Sequence, residues 1–206
     1  MGRYFKFFLQ ATFFCLFAVL VIAGKIQVWM LVFMGSLFAA LLLGRVYCGW
    51  ICPINTGIEW IDRLYKHLGI KRKPVPSWIK KPFIRYIMLT LFLIAFVTVF
   101  VTGKRLPVLP VLFIIGIMLN LLFVPSLWHR YLCPYGVLLH ITGFFARKSY
   151  KVDADKCIKC EICKKACPAE AVEMKGNAVF PEIKPGFCLV CSACSDACPK
   201  KAISYK

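Results

Sequence analysis

Eight of the chain's 12 cysteines fall in two matching runs. The first is Cys157, Cys160, Cys163 and Cys167, followed by Pro168. The second is Cys188, Cys191, Cys194 and Cys198, followed by Pro199. Each reads C-x2-C-x2-C-x3-C-P, and the two lie 31 residues apart. Three thiolates two residues apart can wrap a tight loop around one cube, but chain geometry stops a fourth nearby residue from closing it. The fourth cysteine of each run then serves the other cube, as in proteins that hold two cubane iron–sulfur clusters. We assign Cys157, Cys160, Cys163 and Cys198 to one [4Fe-4S] cluster, and Cys188, Cys191, Cys194 and Cys167 to the second. The proline fixes the backbone as it leaves the site. Zinc sites more often show two C-x2-C pairs. A disulfide framework needs an oxidising compartment and has no reason to repeat this spacing.

A second constellation lies upstream. Tyr47-Cys48 leads to Cys52-Pro53, and Trp128-His129 leads to Cys133-Pro134 with the same spacing. Aligned on their Cys-Pro pairs, the two look like copies of one unit, a parallel internal repeat of a kind common in membrane proteins. Soft thiolates with an imidazole suit iron–sulfur or zinc binding. A third metal centre held by Cys48, Cys52 and Cys133, with His129 in the fourth place, is therefore expected. The plainer alternative is three buried thiols packing short turns, with an interfacial histidine.

The elements that must position these ligands are apolar. The 206 residues are 60% hydrophobic with a formal charge of +18, above the ~45–50% apolar content of soluble domains. Four segments approach the ~20 residues a bilayer requires: Phe7 to Ala23, Ile26 to Gly44, Tyr86 to Gly103 and Leu106 to Trp128. Pro107, Pro110 and Pro125 should confine the regular helix of the last to its middle. Arg3, Lys6 and Ala23-Gly24 also fit a signal peptide, but the apolar run is longer than a signal core. Cys15 reads as a small buried hydrophobe. Basic residues crowd one face: Arg3 and Lys6, nine between Arg45 and Arg85, then Arg130, Arg147 and Lys148. Only Lys25, Lys104 and Arg105 fall in the opposite turns. The positive-inside rule places both termini in the cytoplasm, across a cell inner membrane. Anionic head groups explain these basic runs better than nucleic acid does.

Thr56 to Leu68 has helical apolar spacing and should lie in the membrane interface, ended by Gly69. Tyr135 to Phe145 reads as a second interfacial helix, and Lys71 to Pro76 as an extended connector. His67 reads as solvated, and His140 as a residue able to bond a quinone head group. The expected fold is mostly α: a four-helix polytopic membrane domain over 1–149, then a small α+β dicluster domain over 150–206 that folds around its metal.

Together these motifs resemble the NapH-like membrane 4Fe-4S ferredoxins, related to the cores of NosR and of CcoG-type polyferredoxins. The match covers nearly the whole chain and departs at His129, where the family carries cysteine. The resemblance implies an electron-transfer component of quinol dehydrogenase type, working with quinone and other redox subunits. The expected role is a relay between a cytoplasmic partner and a quinone pool or membrane complex. The basic surroundings favour an acidic soluble carrier. The alternative is an accessory metal reductase or assembly factor, as the CcoG likeness implies. Nothing points to a stand-alone enzyme: no nucleotide-binding glycine loop, no HExxH and no nucleophile beside a base.

Overall fold

A computed structural model describes residues 3–102, 108–174 and 180–206. The apolar segments form helices α1 (Arg3–Ile22), α2 (Gln27–Leu43), α4 (Pro82–Thr102) and α5 (Val108–Leu122). Gly24 takes φ 66° in the turn between the first two, a conformation costly for other residues. The proposed turn at Lys104 and Arg105 lies outside the described residues. As the prolines require, α5 is short: it has Pro110 in its first turn and ends before Pro125.

Among the described residues only α1 and α4 have the length and apolar character to cross a membrane; α2 and α5 are apolar but 17 and 15 residues long. The fold is mostly helical, with the expected small strands at its carboxyl end.

Both Cys-Pro motifs fold alike. After α2 the chain makes one π-helical turn, Tyr47–Ile51, and the Cys52 N–H donates to the Tyr47 carbonyl at 2.8 Å. Cys52 is extended, and Pro53 opens α3 (Pro53–His67), where a missing N–H costs nothing. The second copy repeats this with a π turn at Leu127–Leu132, a Cys133 N–H to Trp128 carbonyl bond of 2.9 Å, and Pro134 opening α6 (Pro134–Phe144). Bulges of this type favour functional sites.

The two helices that follow each pack one face on the protein. α3 packs on α1 and α5 with Ile54 and Ile58 buried, and only Leu64 and Leu68 of its stripe are exposed. α6 packs against α2, α4 and the 3-10 turn Pro185–Phe187, with Leu139 fully buried. Tyr135 and Leu139 of α6 pack in the core, while Ile141, Phe144 and Phe145 at its end are exposed apolar residues. Cys15 departs from expectation, being exposed on the outer side of α1. The connector after α3 is extended as expected and is tied to the end of α5 by a parallel bridge from Lys73 to Phe123.

The carboxyl-terminal region is built of two like halves. β1 (Tyr150–Val152) and α7 (Ile162–Ala166) have counterparts 31 residues on in β3 (Pro181–Ile183) and α8 (Ala193–Asp196), as β2 (Val172–Met174) has in β4 (Ile203–Tyr205). β1 pairs antiparallel with β4, joining Tyr150 to Tyr205, and β2 with β3, joining Val172 to Ile183. Strands of three residues supply little stability alone. Their core is largely Cys163, Cys188 and Cys194 among Ala171, Val172, Val190 and Ile203.

Candidate functional site

The cysteine loops depend on residues forced into left-handed backbone. Lys159, Glu161 and Glu170 have φ between 50° and 57°, and their counterparts Val190, Ser192 and Lys201 between 50° and 64°. Such values are uncommon outside glycine. Alternating them turns successive N–H groups toward one concavity, which suits an anion. Sulfur also receives backbone donors: Ala171 N–H reaches Cys167 Sγ at 3.2 Å, and Ala202 N–H reaches Cys198 Sγ at 3.3 Å.

Cys157, Cys160, Cys163 and Cys198 line one small cavity, and Cys167, Cys188, Cys191 and Cys194 line another. Each cavity thus draws its fourth cysteine from the other half, matching the spacing. These donors fit an anionic iron–sulfur cluster. Burial, with Cys191 and Cys167 adding to it, pushes the Cys188 thiol up to about 12. Burial pushes Cys191 up to about 11 even with Lys6 opposing. A metal must therefore displace protons from these thiols.

Cys48, Cys52 and Cys133 lie near enough to act on one another's thiols. Burial first, then the neighbouring thiols Cys48 and Cys133, raises Cys52; burial and Cys48 push Cys133 up to about 12. Gly136 N–H donates to Cys133 Sγ at 3.4 Å, and Arg45 Nη2 lies 3.6 Å from Cys48 Sγ. His129 faces elsewhere. Its imidazole is buried and lines a cavity of about 450 Å³ with Glu59, Asp62 and Cys191. Its Nε2 has no hydrogen-bond partner. Burial, then the Arg45 charge, depresses it to about 3, with Glu59 and Asp62 opposing, so the ring is neutral. Among the described residues no three Cys, His, Asp or Glu side chains converge tightly enough for a single metal ion. A cubane instead spreads its ligands over separate irons.

The second cysteine loop is fastened to the first Cys-Pro motif. A Cβ on Gly49 would lie 2.4 Å from the Leu189 carbonyl oxygen and 3.1 Å from Cys191 Cα. Trp50 Nε1 donates to the Val190 carbonyl at 2.8 Å, and Lys6 Nζ to the Cys191 carbonyl at 2.9 Å. Arg45 Nη1 donates to the Gly186 carbonyl at 3.2 Å. Lys6 also pairs with Glu59 at 2.9 Å, while Gln10 Nε2 bridges the Gly49 carbonyl and Glu59. Burial alone would raise the Glu59 carboxyl, but Lys6, Gln10 and Arg63 together hold it below the usual range. Arg85 and Arg130 cover the ring of Phe187, with centroid distances of 4.9 and 4.4 Å.

Sequence reasoning missed this junction. Lys6, Arg45, Arg85 and Arg130 entered only as charges on one face, yet the first three are buried. Gly49, inside a ligand motif, was the one local signal of a close backbone approach.

Comparison with known proteins agrees with both motif sets. A 4Fe-4S binding domain matches residues 26–71 and again 106–151, and a 4Fe-4S dicluster domain matches 156–203. The first match, made twice, supports the internal repeat. The uncharacterized protein MJ0749 of Methanocaldococcus jannaschii is 31% identical over 142 residues, 66% of this chain and 56% of that protein. The ferredoxin-type protein NapH of Haemophilus influenzae is 29% identical over 155 residues, 66% of this chain and 52% of its own. The regulatory protein NosR of Stutzerimonas stutzeri is 27% identical over 157 residues, 66% of this chain and 22% of its own. The chain belongs to the NapH/NosR-like 4Fe-4S ferredoxin family. It carries the 4Fe-4S binding domains of that family. The chain spans about half the length of the first two of these relatives and less of the third. No solved structure matches.

Proposed function

We propose that this ferredoxin is an integral membrane protein of four spans, with its termini in the cytoplasm. It connects a cytoplasmic redox partner with a quinone pool or a membrane redox complex. The exposure of its apolar helices supports the membrane setting. In the most apolar windows of α1 and α4 only 17% and 11% of residues are buried, whereas the core helix of a soluble protein is mostly buried. Phe8, Leu31, Phe38 and Ile114 likewise face outward. α2 and α5, at 17 and 15 residues, are short spans around which the bilayer thins.

Iron–sulfur clusters, when bound, supply reversible one-electron storage. The eight carboxyl-terminal cysteines would hold two. Cys48, Cys52 and Cys133 would hold a third centre, with His129 beside the path rather than among the thiols. What carries this reading is the joint at Gly49. The second cysteine loop lies in backbone contact with the turn between Cys48 and Cys52, so the ligand sets form one continuous file. Cys160 stands at the solvent end and Cys133 within the helical core.

Anaerobic purification with iron, acid-labile sulfide and EPR measurements tests the proposal. Brown, sulfide-containing protein, reduced by dithionite and reoxidised by a menaquinone analogue, is the expected result. Colourless protein without sulfide overturns it, and reoxidation by copper alone transfers the protein to the accessory class.

A further inference from the structure

We propose that the outer face of the first cysteine loop is the docking site of a small acidic electron carrier. This rests on the relay reading above and adds the surface and the partner's chemistry.

The pseudo-symmetry of the two halves makes the case. The second loop uses its outer face as an interface. Leu189 is 2% exposed, the Val190 and Cys191 carbonyls accept bonds from Trp50 and Lys6, and Gly49 leaves no room for a Cβ beneath. The first loop has the same backbone, with left-handed residues at the matching positions, and shows that face to solvent. Ile158, the counterpart of Leu189, is 57% exposed, and Ile162 beside it 41%. Cys160, the counterpart of Cys191, is exposed too. A face that is covered in one copy and bare in the other has the shape of an interface without its partner.

Charge decides what that partner is. Phe187, Val190, Ser195 and Asp196 in the covered half correspond to Lys156, Lys159, Lys164 and Lys165 in the bare half. Lys200 and Lys201 add to the rim; Asp155 and Glu161 are the exposed acidic residues there. An apolar centre within a lysine rim steers acidic proteins from a distance and releases them quickly. It suits a carrier with a small apolar contact patch inside an acidic ring. Docking sets the carrier's redox centre beside Cys160. With an iron–sulfur cluster held by Cys157, Cys160, Cys163 and Cys198, that cluster would be reduced by one electron as the carrier is oxidised by one, with no bond formed or broken.

The test uses the full-length, metal-loaded protein in detergent, with reduced plant-type ferredoxin as the acidic probe. Binding is followed by biolayer interferometry and electron transfer by stopped-flow absorbance. Raising salt from about 50 to about 300 mM should weaken binding roughly tenfold. The double variant Lys164→Glu, Lys165→Glu should lose a similar factor at low salt and keep its iron content. The control Lys80→Glu, Lys81→Glu, on the connector before α4, should bind as the parent does. Equal loss in both variants, or in neither, overturns the proposal. So does loss of affinity for phosphatidylglycerol vesicles with ferredoxin binding intact, which makes the face a lipid contact. Conversion of a dimer to a monomer by Ile158→Ser, seen by light scattering, assigns the face to a second copy and overturns it as well. Salt-sensitive binding without electron transfer upholds the docking site and removes the relay reading instead.

Discussion

Gly49 is the most constrained glycine among the described residues, because its neighbour is a backbone carbonyl that has nowhere to move. Gly49→Ala should push the second cysteine loop off the helical core. We expect a loss of about 1–3 kcal/mol, typical of overpacking, together with reduced iron content. Gly35→Ala, which meets nothing within 4 Å, is the control, and equal behaviour of the two would refute the joint. His129 supplies the pH dependence. Its folded value of about 3 lies below the unfolded one of about 6.5. The unfolded chain therefore binds more protons between these limits. The neutral ring contributes fully above pH 6.5, and its contribution fades as pH falls toward 3. Moving from pH 7 to 5 should cost about 2 kcal/mol from this residue. His129→Gln should flatten that part of the slope in thermal unfolding; an unchanged slope would mean the ring is not buried neutral.

The elements explain why the protein needs its metal. β1 to β4 are three residues each, and thiols fill much of the core between them. Removing the clusters by chelation under oxidation should unfold residues 150–206. Most of the helical circular dichroism should survive, because α1 to α6 pack on one another. Trp50 should report the event through its fluorescence, since its indole N–H is held by the Val190 carbonyl. The paired π turns give a second prediction at this scale. Changing Cys48 and Cys133 to alanine should lower iron from about twelve to about eight per chain if a third cubane sits there. Unchanged iron would leave these thiols as packing groups.

For the whole molecule, the distribution of charge and apolar surface predicts topology. In inside-out vesicles a protease should release the carboxyl-terminal domain, and in right-side-out vesicles it should leave the domain intact. Cys15, on the outer side of α1, should resist a membrane-impermeant maleimide until detergent is added. Prompt labelling in intact vesicles would place α1 outside the lipid.

How far the sequence reaches follows from how local each feature is. Ligand loops are local: the intervals from Cys157 to Cys167 and from Cys188 to Cys198 dictate which thiols share a cavity, and the Cys-Pro step that ends each upstream motif favours a helix start at Pro53 and Pro134. Those features hold whatever lies around them. The fate of a surface does not. Ile158 and Leu189 have similar chemistry and equivalent places, yet one meets solvent and the other Gly49. One face of α6 is covered by the 3-10 turn at Pro185–Phe187, a segment far along the chain that no local pattern in α6 announces. Arg45 reads as a surface charge and is buried against Cys48 and Gly186. Ligand identity and turn geometry are set by neighbours along the chain. Burial and charge pairing are set by neighbours in space, and only the folded arrangement supplies those.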